Sequence, residues 1–389
     1  MLLDASLVCN LKGYQWRRDI HTRAYRHLLC VQVESTRSVT VRVKGEYKTS
    51  NVVSISKAVT SIHRGRIPPP PIQCKAVLKG RGFKPIFLMS IDQLNTDYGI
   101  AGHLTFATGN GGFPMIHIDN GQAKALISVY SGQVLSFQPA TETTDLMFVS
   151  EKAYYAEGKA IKGGIPICWP WFGPDPEALG RPSHGFVRNR LWNVLETATT
   201  PDGATKVTLG LKDTDETRAI WPQSFELAIV ITIGTTLTVE LITRNLGDKA
   251  FPLTQAFHTY FQVGDINRVQ VLGLENSQYL DKADGGVEKT QVGAVVIAGE
   301  VDRIYLDVTN ELVIDDSALN RRIRIKSSGS KSVVVWNPWV TISANMADLD
   351  DADYQRLLCV ETTNAATDIV EVPPHGEFRL QAIYSVEPR

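Results

Sequence analysis

From about residue 89 the chain is a succession of short runs dense in Val, Ile and Thr, each closed by a cluster of Gly, Asn, Asp or Ser. "TKVTLGLKDT", "FELAIVITIG", "TTLTVELITRNLG", "RIRIKSS" and "KSVVVWNPW" are of this kind. β-Branched side chains are stiff in a helix and pack well on a pleated surface, so these runs read as strands. "ITIGTTLTVELI" reads as two strands joined by a tight glycine turn. Helix signals are few. The best is "DLDDADYQRLLCV", whose aspartates suit the N-terminal end of a helix. Many short strands with little helix predict an all-β fold, a large antiparallel β-sandwich filling one domain over residues 89–389.

Residues 1–88 have a different texture. They carry 16 Lys and Arg against 4 Asp and Glu, net +12, which leaves 24 basic and 37 acidic residues, net −13, for the remainder. "YQWRRDIHTRAYRHLL" reads as a short basic helix and "SVTVRVKGEYKTSNVVSIS" alternates like a hairpin. "RGRIPPPPIQ" interrupts both with four consecutive prolines. We read residues 1–88 as a basic, weakly ordered N-terminal extension of unknown function and assign it no nucleic-acid partner. The five cysteines (Cys9, Cys30, Cys74, Cys168 and Cys359) lie far apart with no CxxC, as free thiols in a reducing compartment do. The longest apolar run, "ELAIVITIG", is too short to span a bilayer, and no signal peptide opens the chain. The expectation is a cytoplasmic protein with no membrane partner, and a monomer.

One stretch stands apart from the strands: "AIKGGIPICWPWFGPDPEALGRPSHGFVRNRLWNV", residues 160–194. Its prolines and Gly-Gly pair exclude a long helix. Trp169, Trp171 and Trp192 offer flat apolar faces suited to the C–H faces of sugar rings. Lys162, Arg181, Arg188 and Arg190 are cations suited to an anion such as phosphate. A packed loop with core tryptophans and solvated cations reads equally well.

Four further residues are candidates for chemistry. His258, in "LTQAFHTYFQVGD", is flanked by Phe257, Tyr260 and Phe261, and a half-buried imidazole can exchange a proton near neutral pH. A satisfied core histidine is the alternative. Glu361 follows the apolar run "QRLLCV", where desolvation would raise its pKa and make it a usable base. His184, in "PSHGFVRN", precedes a glycine that permits close approach, and Asp281, in "SQYLDKADGG", reads alone as a turn residue.

Other patterns fail. "DLDDADYQRLLC" lacks the Gly at position six and the Glu at position twelve of an EF-hand loop. "TGNGGF" lacks the Lys-Ser/Thr of a phosphate loop, and there is no HExxH, HxH or GxSxG. No metal and no cofactor is expected.

Taken together, "AIKGGIPICWPWFGP", "SHGFVRNRLWNV", "AFHTYFQVGD", "YLDK", "VVVWNPW" and "DLDDADYQRLLCVET" resemble, in that order, the hexose-6-phosphate mutarotases. These form the glucose-6-phosphate 1-epimerase branch of the aldose 1-epimerase superfamily. The likeness runs from about residue 89 to the C-terminus and implies a galactose mutarotase-like β-sandwich, in keeping with the strand reading. It also implies roles. Glu361 would take the proton of the anomeric hydroxyl, and His258 would protonate the ring oxygen. His184 would bind ring or hydroxyl oxygens and Asp281 the sugar hydroxyls. Arg188 matches a phosphate-contacting arginine, while Lys162 stands where that branch typically has arginine, keeping the charge but not the bidentate fork. The implied activity is anomer interconversion of a hexose 6-phosphate without cofactor.

Two other functions stay open: a sugar-phosphate-binding protein of the same fold without turnover, and a glycosidase using Asp281 and Glu361 as a carboxylate pair. Fold alone chooses none of the three.

Overall fold

The computed structural model describes residues 89–389 throughout and, before them, the strands Leu3–Leu7, Leu29–Ser35, Ser38–Val43 and Ala76–Leu78. The chain divides into two compact units, Met1–Leu88 and Met89–Arg389. In the first, the four strands make an antiparallel sheet in which Ser38–Val43 pairs with both Leu29–Ser35 and Leu3–Leu7. The helix expected at "YQWRRDIHTRAYRHLL" and the proline run lie outside the described residues.

The second unit is a β-sandwich. One sheet has nine strands, with Phe225–Ile233 and Leu237–Asn245 as its central hairpin. The C-terminal strand Glu377–Pro388 is inserted between Leu237–Asn245 and Arg321–Ser328. The turn between the two hairpin strands closes with Gly234 N–H donating to the Thr236 carbonyl at 3.0 Å, as the sequence predicts.

The facing sheet has eight strands: β1 (Ile167–Cys168), β2 (Gln255–Phe257), β3 (Tyr260–Gln262), β4 (Gln278–Asp281), β5 (Val287–Thr290), β6 (Val301–Tyr305), β7 (Ser332–Asn337) and β8 (Leu357–Asn364). Their order is β5-β4-β6-β7-β8-β2-β1, with β3 also pairing to β8 and every pairing antiparallel.

Side chains alternate between the two faces of a strand. The inward face of this sheet meets the nine-stranded one. There Thr362 bonds Ser327 through their hydroxyls at 2.7 Å, Thr259 bonds Tyr384 at 2.8 Å, and Val333, Val335 and Val360 are buried. The outward face carries Glu361, Cys359, Trp336 and Asp302. Phe148, Met346 and Leu349 cover it around Cys359, while Trp336 and Asp302 stay partly exposed. Every residue of β8 is therefore buried, and "LLCV" reads as an unbroken apolar run.

"DLDDADYQRLLCV" is not a helix, a correction to the sequence reading. It forms only a short 3-10 turn, Asp353–Gln355, before β8 begins at Leu357. The buried Asp353 carboxylate accepts from Asp350 N–H at 3.0 Å, Ser150 Oγ at 3.3 Å and Arg356 Nη2 at 2.6 Å. Aspartates that bind nearby backbone and side chains in this way favour turns over helix interiors.

Candidate active site

The two residues with the strongest chemical case meet by strand register. β2 pairs Phe257 with Thr362 and β3 pairs Tyr260 with Cys359, so His258, between them, falls opposite Glu361. The ladder opens there: His258 N–H donates to the Pro166 carbonyl at 3.0 Å instead of to β8. His258 Nδ1 lies 3.2 Å from Glu361 Oε1, without the alignment of a hydrogen bond. His258 Nδ1 and Glu361 Oε2 are both buried with no protein partner. Two unpartnered polar atoms on adjacent buried groups are costly to keep, and they await a ligand's donors and acceptors.

The electrostatics follow from that burial. Desolvation, and next the charge of Asp302, push the Glu361 carboxyl well above its ordinary range, with Arg188 opposing. Desolvation pushes His258 well below its ordinary value, and His184, Arg188 and Lys162 add to it. Both shifts favour the neutral forms, carboxylic acid on Glu361 and imidazole on His258. His258 stacks flat on Tyr260 at 4.8 Å and meets the edge of Trp336 at 6.1 Å.

His184 arrives from the 160–194 stretch. Its ring centroid is 5.6 Å from that of His258, and it holds a left-handed backbone (φ 63°) that non-glycine residues rarely adopt. Gly173 N–H donates to His184 Nδ1 at 3.2 Å, which leaves the proton on Nε2 as a donor. Burial, then Arg188 and Lys162, lower its pKa to about 3, so the ring stays neutral. Gly185 beside it is required: a Cβ there would lie 1.8 Å from the Trp169 carbonyl oxygen.

The same stretch sorts its own aromatic and basic residues. Trp169, Trp171 and Trp192 are buried, and their indole N–H groups donate to Thr243, Pro182 and Val187 respectively. They are core, which decides between the two readings of the stretch in favour of a packed loop as far as the tryptophans are concerned. Arg181 lies 4.5 Å above the Trp171 ring and bonds Asp175, while Arg190 pairs with Glu216 at 3.1 Å. Lys162 and Arg188 remain as the two cations close enough to act on both histidines. Lys162 Nζ is 3.6 Å from Asp348. Arg188 donates to the Ser183 carbonyl at 3.1 Å and has no acidic partner among the described residues.

Asp281 is not drawn into this group. At the end of β4 it accepts from Lys289 at 2.9 Å, and register places it on the inward face with Tyr279, Arg303 and Tyr305. The carboxylate that shares Glu361's face is Asp302, paired across β6 and β7 with Trp336 and so in line with Cys359. Asp302 was missed in the sequence because "EVDRIYL" looks like any edge of a strand. Its carboxyl is raised, by burial first.

Cys359 Sγ completes a group with His258 and Glu361, their ligand atoms within 4.8 Å of one another. Burial pushes the thiol well up, as it does the carboxyl.

A two-sheet sandwich with a buried histidine–glutamate pair on one sheet is the setting for acid–base work on a small polar ligand. The chain belongs to the aldose 1-epimerase family, whose profile matches residues 114–385. It is thus an isomerase that interconverts sugar anomers, which removes the glycosidase reading. The protein of Escherichia coli (strain K12) named "Putative glucose-6-phosphate 1-epimerase" is 36% identical over 253 residues, 65% of this chain and 83% of its own length. One of the same name from Cenchrus ciliaris is 36% identical over 273 residues, 68% of this chain and 82% of that one. Among solved structures, the "putative mutarotase (YeaD)" of Salmonella typhimurium superposes with a TM-score of 0.70 at 32% identity, covering 75% of this chain and 96% of its own. No helix among the described residues is long and apolar enough to cross a membrane.

Proposed function

We propose that this chain interconverts the α and β anomers of a hexose 6-phosphate, glucose 6-phosphate first among them, by acid–base opening and reclosure of the ring. The observation that carries the chemistry is the buried His258–Glu361 contact at 3.2 Å, with polar atoms of both residues unpartnered. The phosphate is supported by the substrate in the relatives' name and by Lys162 and Arg188 beside the two histidines.

Glu361 takes the proton of the anomeric hydroxyl while His258 gives one to the ring oxygen. The bond from C1 to the ring oxygen breaks, leaving the free aldehyde. Rotation about C1–C2 and reclosure, with the two roles exchanged, deliver the other anomer. The pair holds one exchangeable proton. In the free protein burial favours that proton on Glu361 over His258, and the reactive arrangement, carboxylate and imidazolium, has the same proton count with the proton on His258. His184 Nε2–H donates to a ring or hydroxyl oxygen. Asp302, on Glu361's face, accepts from sugar hydroxyls, the role expected of Asp281. We place the protein in the cytoplasm as a monomer, which the free, buried Cys168 and Cys359 support as regards redox compartment.

Polarimetry of glucose 6-phosphate with wild type, Glu361→Gln and Arg188→Ala tests the assignment. Glu361→Gln should lower the rate at least about 10²-fold, the usual contribution of a positioned acid or base. Arg188→Ala should raise KM for the phosphate ester and leave KM for free glucose little changed. Full activity in Glu361→Gln would overturn the mechanism.

A further inference from the structure

The cations that would hold the phosphate are also the cations whose charge acts on His258. Lys162 is two residues from Gly164, whose carbonyl accepts from Tyr260 N–H at 2.9 Å, and Tyr260 is the ring on which His258 stacks. Lys162 Nζ also rests against Met346, which packs on the cluster containing Tyr260 and Cys359. Arg188 lies in the 3-10 turn Val187–Asn189, four residues beyond His184, whose ring is 5.6 Å from that of His258. Both cations act on His258, whereas of the two only Arg188 is among the charges acting on Glu361. Their combined field therefore disfavours a proton on His258 more than it favours ionisation of Glu361. Asp348 already offsets part of Lys162's charge, and Asp302 stands on the glutamate's side.

We propose that the phosphate is an activator as well as an anchor: a dianion seated on Lys162 and Arg188 draws the pair's proton from Glu361 onto His258, and so produces the reactive arrangement. This rests on the phosphate reading above. It has a consequence that an anchor lacks. The dianion need not be joined to the sugar, so free glucose should be turned over faster when a small dianion is supplied separately. The step is a proton transfer within the pair, and nothing is gained or lost from it.

The experiment measures enzyme-catalysed α-to-β conversion of free glucose against increasing sodium phosphite at constant ionic strength. The enzyme-free rate is subtracted at each concentration. We expect a saturable rise of about tenfold, equivalent to about 1.4 kcal/mol in the barrier. Its half-saturation should match the concentration at which phosphite competitively inhibits glucose 6-phosphate turnover. The Lys162→Gln and Arg188→Gln variants should each lose most of the rise. No rise, with competitive inhibition intact, would overturn the activation and leave the phosphate site standing. Neither rise nor inhibition would overturn both. A rise that persists at full size in the double variant would place the effect elsewhere and overturn the coupling.

Discussion

At the residue scale, a carboxyl whose surroundings favour its protonated form carries a cost in stability. Glu361 has a folded-state pKa above its unfolded value, so the folded state binds more protons than the unfolded one between the two values. Its contribution is fully favourable below the unfolded value near 4.5 and is lost as pH rises toward the folded one. Gln keeps the shape and removes the titration. Glu361→Gln should therefore match wild type in urea unfolding at and below about pH 4.5 and exceed it increasingly as pH rises from there toward the folded-state value. The gap should grow by up to about 1.4 kcal/mol per pH unit. A difference constant with pH would mean that Glu361 is not desolvated as described. This scale was also the most readable in the sequence. His258 and Glu361 stood out because each adjoins an apolar run. What the sequence could not show is that they are opposite one another, since that needs the register of β2 and β3 on β8 across a hundred residues. Nor could it separate Asp302 from Asp281, because which face a strand residue takes is set by pairing and not by its neighbours in the chain.

At the scale of elements, the site hangs on turns whose backbones only glycine tolerates. Gly163 and Gly164 have φ of 116° and 63°, and a Cβ on Gly164 would lie 2.1 Å from the Val134 carbonyl oxygen. Gly164 N–H donates to the Phe148 carbonyl at 2.7 Å while its carbonyl accepts from Tyr260, so this turn ties the loop bearing Lys162 to β3. Gly164→Ala should cost at least about 2 kcal/mol in chemical denaturation, from backbone strain and contact with a carbonyl that cannot retreat. An alanine variant as stable as wild type would show that the turn is not held where described. Strands were legible here because period and composition agree. The aspartate-rich segment before β8 misled because its carboxylates are spent on turns, including the ion pair from Asp353 to Arg356. The tryptophans stayed open between two readings for a related reason: an indole that donates inward serves the core, and composition is silent about direction.

At the scale of the whole molecule, the sandwich could be foreseen from many short strands with few helices, but its strand order could not. The C-terminal strand enters the middle of the nine-stranded sheet, a pairing that no local pattern encodes. Charge belongs to this scale as well. Residues 89–389 carry a net charge of −13, so a phosphate dianion approaches a unit that repels it on average. Two local cations must outweigh that field, which makes preference for the phosphorylated sugar the central claim. Exchange NMR between the α and β C1 resonances, run with catalytic enzyme on glucose 6-phosphate and in parallel on glucose, measures it directly. The account predicts enzyme-dependent exchange that is at least about tenfold faster in kcat/KM for the phosphate ester, the worth of about 1.4 kcal/mol of transition-state binding. Equal exchange of the two sugars would contradict the role given to Lys162 and Arg188, and no enzyme-dependent exchange of either would contradict the catalytic pair itself.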